Sequence, residues 1–133
     1  MTYFHTKAKL IYDPTAGKAK NKWWVIAECP ADILAYYHHW LEKETGTKLN
    51  KPLFGSHISV IRGEEPPADK QHLWRKRHEQ EVDIFYSPII EDHSGFYWLP
   101  ISCPSLCEVR AELGLSPQVE YGFHLTIGRE IPK

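Results

Sequence analysis

The chain of 133 residues has few cysteines, no long apolar run and little net charge. Its three cysteines are odd in number, which argues against a closed disulfide framework and for a reducing compartment. No apolar run approaches the roughly 18 residues that a membrane-spanning helix needs. The N-terminus does not combine a charged segment with an apolar one, as an export signal does. We therefore expect a cytoplasmic protein with no membrane partner.

The net charge of -1 excludes a generally basic nucleic-acid binder, so affinity for a polyanion must come from a local patch. Nothing in the sequence resembles a glycine loop that cradles phosphates or the elbow of an activated serine. Cys103 and Cys107 are four residues apart, but no second cysteine pair completes a zinc site. We expect no metal and no cofactor. With 42% hydrophobic and 25% charged residues, the chain is typical of one globular domain over 1–133.

One motif occurs twice in the chain. In each copy a glycine precedes a histidine by two residues, a hydroxyl residue follows the histidine by two, and an arginine follows it by five. The β-branched and apolar residues of both copies predict strands. Strand alternation places the histidine and the hydroxyl residue on one face and turns the aliphatic residues into the core. The two copies are Gly55-Ser56-His57-Ile58-Ser59-Val60-Ile61-Arg62 and Gly122-Phe123-His124-Leu125-Thr126-Ile127-Gly128-Arg129.

The elements around the motif repeat as well. A tryptophan lies five residues before Cys29-Pro30 and another lies five before Cys103-Pro104. Each Cys-Pro pair opens a predicted helix, and each helix ends at a glycine before the histidine strand. In the first of these helices, the spacing predicts Tyr37 and Trp40 in the core. This order predicts an α+β domain of two pseudo-symmetric lobes, each an antiparallel sheet backed by a helix, with a central cleft.

The lobes have approximate bounds in the sequence. They cover 23–67 and 96–133. The segment 68–95 is predicted to connect them through a charged helix, from about Ala68 to Gln80, and a hairpin strand.

The two motifs carry what phosphodiester cleavage requires. Histidine titrates near neutral pH, so one of His57 and His124 can act as base while the other is protonated as acid. Ser59 and Thr126 can donate hydrogen bonds to the phosphate oxygens on which charge develops. Water would open a 2′,3′-cyclic phosphate, whereas a neighbouring 2′-hydroxyl would attack a 3′,5′ linkage. The sequence leaves open which histidine is the base, and the scheme needs no metal ion.

Paired His-x-Ser/Thr motifs in a small duplicated domain resemble the two-histidine (2H) phosphoesterase superfamily. That superfamily includes 2′,3′-cyclic phosphodiesterases, RNA 2′,5′-ligase-like enzymes and phage proteins that cut cyclic oligonucleotide signals. The resemblance implies a hydrolase, a cyclic phosphodiesterase that acts on a small cyclic nucleotide or on an RNA end with a cyclic phosphate, as in RNA processing. Two alternatives stay open: hydrolysis of cyclic oligonucleotide second messengers, and non-catalytic binding of a nucleotide or RNA.

Five further residues are candidates for substrate binding. Arg62 and Arg129 fall on the face opposite the histidines in an ideal strand, so either needs a bulge or a strand end to reach phosphate, and a surface ion pair is the alternative. Tyr97, Trp98 and Tyr121 are predicted near the cleft, where they could stack on a base. Packing in the core is the competing interpretation for all three.

Overall fold

In a computed structural model, the structure describes residues 2–16, 19–20, 22–119 and 122–131. Within these residues there are two α-helices, α1 (Ala31–Thr45) and α2 (Pro104–Glu112), and a 3-10 helix at Gln71–Leu73. Neither α-helix is long and apolar enough to cross a membrane. The strands are β1 (Phe4–Tyr12), β2 (Thr15–Ala16), β3 (Ala19–Lys20), β4 (Trp24–Glu28), β5 (Leu49–Asn50), β6 (His57–Arg62), β7 (Glu81–Tyr86), β8 (Glu91–His93), β9 (Phe96–Ser102) and β10 (His124–Glu130).

Eight strands form one antiparallel sheet in the order β5-β10-β6-β4-β1-β7-β9-β8, and β2 and β3 form a separate hairpin. An additional pairing between β10 and β9 closes the sheet into a barrel. The predicted α+β class is confirmed. Among the described residues the two halves do not form separate sheets, because β6 of the first half pairs with β10 of the second. The pseudo-twofold relation and the bounds of the lobes stay predictions.

One face of the sheet packs against both helices. In β1, Ala8, Leu10 and Tyr12 alternate into this core, as a half-buried strand requires. The helix α1 packs on β10 and α2 packs on β6, so each helix supports the histidine strand of the other half. The opposite face, here called the polar face, is therefore the one available for a site. The buried helical residues of the core are Ile33, Leu34, Leu41, Leu106 and Val109.

The helix α1 ends at Gly46 as predicted, but the face that it buries differs from the predicted one. Trp40 is 48% exposed, so its predicted place in the core is wrong. It lies about 100° around the helix axis from the buried Leu41. His38 is buried instead, because its Nε2 donates a hydrogen bond of 3.0 Å to the carbonyl of Leu49.

The predicted helix over 68–80 is wrong. The segment forms only the 3-10 helix and a series of turns. Its side chains bond to the end of β1 instead: Nε1 of Trp74 and Nη1 of Arg75 donate to Oδ2 of Asp13, at 3.0 and 3.1 Å. Arg75 also has a positive φ of 69°, which a helix does not tolerate. A charged segment without an apolar stripe has no face to bury, so these contacts decide its conformation.

Candidate active site

The sheet register brings the two motifs side by side. β6 and β10 are antiparallel neighbours, and Leu125 faces Ile58 on the buried side. Side chains alternate, so the next residue in each direction points to the polar face. The two histidines become diagonal neighbours, a relation that in antiparallel pairs spans about 7–8 Å. Continuing the register sets each histidine opposite the hydroxyl residue of the other motif: His57 opposite Thr126, and His124 opposite Ser59.

A glycine carbonyl orients each imidazole. Nδ1 of His57 lies 2.8 Å from the carbonyl oxygen of Gly55, and Nδ1 of His124 lies 3.1 Å from that of Gly122. Because a carbonyl can only accept, Nδ1 carries the proton in both rings, which leaves Nε2 for chemistry. The two glycines have φ of 70° and 71°, a left-handed conformation that glycine adopts without strain. Sequence reasoning placed these glycines in the motif but gave them no role.

Both histidine strands contain a β-bulge three residues after the histidine. In β6 the pairing with β4 skips Val60, and in β10 the pairing with β9 skips Ile127. One extra residue reverses the alternation of all side chains that follow. Arg62 and Arg129 therefore return to the polar face. This is the irregularity that the sequence required if either arginine was to reach a phosphate.

Each arginine lies over the aromatic residue that pairs with it across the strands. Cζ of Arg62 is 5.5 Å from the ring centre of Trp24, and Cζ of Arg129 is 5.6 Å from that of Phe96. Such stacking restricts the guanidinium without using its hydrogen-bond donors. Both groups thus keep donors for a phosphate.

A cavity of about 640 Å³ opens on the polar face. His124, Thr126 and Arg62 line it. The hairpin of β8 and β9 supplies the remaining wall, including His93, Phe96 and Trp98. His57 and Ser59 are not among the residues that line this volume; the register sets them on the adjacent strand beside it.

The surroundings of His57 lower its pKa and so favour the neutral form. Burial lowers its pKa, the hydrogen bond to Gly55 opposes that effect, and the positive charges of Arg62 and His124 lower the pKa further. The ring of Phe54 packs edge-on against His57, with 5.5 Å between ring centres, and contributes to the burial. Sequence reasoning missed Phe54, whose signal was an aromatic residue three positions before the histidine.

Two of the three residues predicted to stack on a base, Trp98 and Tyr97, line the cavity. Trp98 pairs with Thr126 on the polar face, and its ring centre is 6.1 Å from that of His124. Tyr97 also lines the cavity, but its hydroxyl donates to Oε1 of Glu130 at 3.3 Å. Tyr121 lies outside the described residues.

Other chemistries have less support among the described residues. These residues contain no group of three or more His, Cys, Asp or Glu side chains that could hold a metal ion. Burial raises the pKa of Cys29 to about 12 and raises that of Cys103, so neither thiol is activated as a nucleophile.

Two oriented imidazoles lie on neighbouring strands, and hydroxyl and guanidinium donors accompany them. A model of the family described as Swiss Army Knife, 2H phosphoesterase domain (2H-SAK), matches residues 31–133, a range that contains both motifs. The chain belongs to this 2H phosphoesterase family, as the resemblance of the motifs implied, and family membership supports a phosphoesterase-type activity. No match was found among curated proteins or among solved structures.

Proposed function

We propose that the protein is a metal-independent phosphodiesterase that opens a 2′,3′-cyclic phosphate or a related cyclic nucleotide. The register between β6 and β10 carries the proposal, because the pairing of Leu125 with Ile58 makes the two histidine motifs neighbours across the sheet. The repeated glycine contact supports it, because in both rings it occupies Nδ1 and leaves Nε2 as the nitrogen for acid-base chemistry.

His57 is the general base of this reaction. Its lowered pKa keeps Nε2 unprotonated near neutral pH, where a base must be free to accept a proton. Nε2 takes a proton from a water molecule, and the water oxygen attacks phosphorus.

His124 takes the complementary role of general acid. As the new bond to water forms, the bond from phosphorus to the 2′ or 3′ oxygen breaks, and protonated Nε2 of His124 gives its proton to that leaving oxygen. The product is a phosphomonoester with a free hydroxyl. Proton transfer from His57 to His124 through solvent then restores the starting state.

The non-bridging oxygens of the phosphate bind to the remaining polar groups. The hydroxyls of Ser59 and Thr126 each donate one hydrogen bond, and the guanidinium of Arg62 adds charge where the negative charge increases. Trp98, beside Thr126, offers a ring on which the base of a nucleotide or of an RNA end can stack.

One assay tests this proposal directly. The purified protein is incubated in EDTA with 2′,3′-cyclic AMP, with a short RNA that ends in a cyclic phosphate and with a cyclic dinucleotide, and the products are identified by mass spectrometry. The proposal predicts a gain of one water mass on the first two substrates. Tight binding of all three without any product would contradict it and support the non-catalytic binder.

Opening of a cyclic oligonucleotide is the second candidate. The cavity lining includes Phe96, over which Arg129 lies, and these two side chains support the binding of a second base and phosphate beyond Trp98. Faster turnover of the cyclic dinucleotide than of 2′,3′-cyclic AMP in the same assay favours this candidate.

A further inference from the structure

A buried arginine lies directly behind the bulge of β6. Arg110 of α2 is 3% exposed, although arginine is rarely buried without a partner. Its Nη1 and Nη2 donate to the two carboxylate oxygens of Glu64, at 2.8 and 2.6 Å. This pairing lowers the pKa of Glu64 and keeps it charged. The pair therefore has the bidentate geometry in which an arginine binds most strongly.

The same guanidinium binds the backbone of the extra residue in the bulge. Val60 has no cross-strand partner in β4. Nη1 of Arg110 donates to the carbonyl oxygen of Val60 at 2.8 Å. A bulge normally leaves backbone groups unpaired, and an unpaired buried carbonyl is costly. Arg110 thus replaces the hydrogen bond that a regular ladder would have supplied.

Two further contacts fix the chain on either side. Glu64 lies two residues after Arg62, and its Oε1 is 3.4 Å from the backbone nitrogen of Arg62. Nε of Arg110 donates to the carbonyl of Ser116, at 2.6 Å, in the segment that leads to β10. One side chain therefore connects α2 to the bulge, to the end of β6 and to the approach of the second motif.

We propose that Arg110, paired with Glu64, is a positioning residue that stabilises the bulge at Val60 and so keeps Arg62 on the polar face of the sheet. The inference rests on the proposed function in one respect, namely that Arg62 binds the phosphate. Without the contact to Val60, the strand can return to regular alternation, which would turn Arg62 toward the opposite face.

A second ion pair of the same helix provides a matched control. Arg77 donates from Nε and Nη2 to Oε2 of Glu112, at 3.0 and 2.9 Å, and both side chains are mostly buried. This pair connects α2 to the 68–80 segment and makes no described contact with β6. R77Q therefore removes a guanidinium that binds α2 without altering the contacts at the bulge.

The first test does not require enzymatic activity. The pKa of His57 is measured by NMR titration in the wild type, R62Q, R110Q and R77Q. The charge of Arg62 lowers this pKa, so R62Q is expected to raise it, and R110Q is expected to raise it by a similar amount. The other charged or titratable groups facing His57, which are His124 on β10 and Glu28 on β4, are unchanged in all variants. A wild-type value in R110Q, or an equal rise in R77Q, overturns the proposal.

A kinetic cycle is the second test. We expect R62Q to raise KM for 2′,3′-cyclic AMP by about tenfold, R110Q to do the same, and the double variant to exceed R62Q by less than about twofold. If the two increases in KM multiply, so that KM of the double variant rises about a hundredfold, the proposal is overturned. If R110Q does not fold, E64Q replaces it in both tests, and wild-type values there count against the proposal equally. A wild type without turnover contradicts the proposed function alone, because the NMR titration still decides the role of Arg110.

Discussion

The carbonyl oxygen of Gly55 accepts a hydrogen bond from Nδ1 of His57, and the same contact joins Gly122 to His124. A backbone group thus sets the orientation and the tautomer of each catalytic candidate, a task that other histidine sites often give to a carboxylate. Because the glycine is only two residues away, the orientation is encoded within the motif itself.

Alanine at these glycines should reduce activity more than stability explains. G55A forces a side chain into a left-handed backbone, which costs roughly 1–2 kcal/mol of folding free energy or moves the carbonyl that orients His57. A β-carbon at Gly55 would meet nothing within 4 Å, so steric clash is not a factor. We expect G55A and G122A to lower kcat at least tenfold, measured alongside thermal unfolding.

Gly46 is the matched control for that experiment. It has φ of 67° at the end of α1 and is equally free of neighbours within 4 Å. G46A should therefore lose a similar folding free energy and retain kcat. Equal losses of kcat in all three variants would show that the effect is one of stability.

Arg62 should contribute mainly to substrate affinity. A hydrogen bond to a charged group is worth about 1.5–3 kcal/mol, so R62A should raise KM for 2′,3′-cyclic AMP roughly 10- to 100-fold. R75A is the control, because Arg75 is exposed and binds Asp13 at the end of β1. Steady-state kinetics of the two variants decide between substrate contact and a surface role, since an unchanged KM in R62A contradicts the contact.

Trp98 should affect only substrates that have a base. Stacking of one base on an aromatic ring is worth about 1–3 kcal/mol, so W98A should raise KM for 2′,3′-cyclic AMP about 5- to 150-fold. The same variant should leave KM for ribose 2′,3′-cyclic phosphate, which lacks the base, within about twofold. W40A, which removes an exposed tryptophan of α1, should change neither value. An equal loss on both substrates would assign Trp98 to the packing of His124.

A plot of kcat/KM against pH should be bell-shaped, and its acidic limb should lie at lower pH than an ordinary histidine would give. His57 must be neutral to act as base, and burial lowers its pKa. The acidic midpoint of kcat/KM should therefore fall below about 6.5, the ordinary value for histidine. R62A removes a positive charge that lowers this pKa, so the midpoint should move to higher pH. A rate that keeps rising through alkaline pH would contradict the acid-base pair.

Local signals in the sequence were sufficient for much of this architecture. Alternation around His57 and His124 predicted both strands and the face that they share, because a half-buried strand repeats every two residues. Gly46 marked the end of α1, because a left-handed helix terminus favours glycine. The family could be inferred at the same stage, because the motif occurs twice in equivalent places.

Features that depend on distant partners could not be predicted in this way. The bulges at Val60 and Ile127 are defined by the pairing with β4 and β9, which lie far away in the sequence. The one local signal was that two consecutive residues without polar side chains begin three positions after each histidine. The conformation of the 68–80 segment depends on its contacts with Asp13, which is distant in the sequence, and not on its own helical propensity. The hydrogen bond of Arg110 to Val60 joins residues of different halves, so no local pattern could have indicated it.

Turnover of 2′,3′-cyclic AMP by H57A, H124A and the double variant tests whether both imidazoles act on one phosphate, and H72A, which replaces an exposed histidine, is the control. If the two imidazoles act on one phosphate, each single variant loses about 10²–10⁴-fold in kcat, and the double variant loses little more than either, because one reaction requires both. H72A should match the wild type. A single variant that retains wild-type turnover, or losses that multiply in the double variant, would contradict joint action of His57 and His124 on one phosphate.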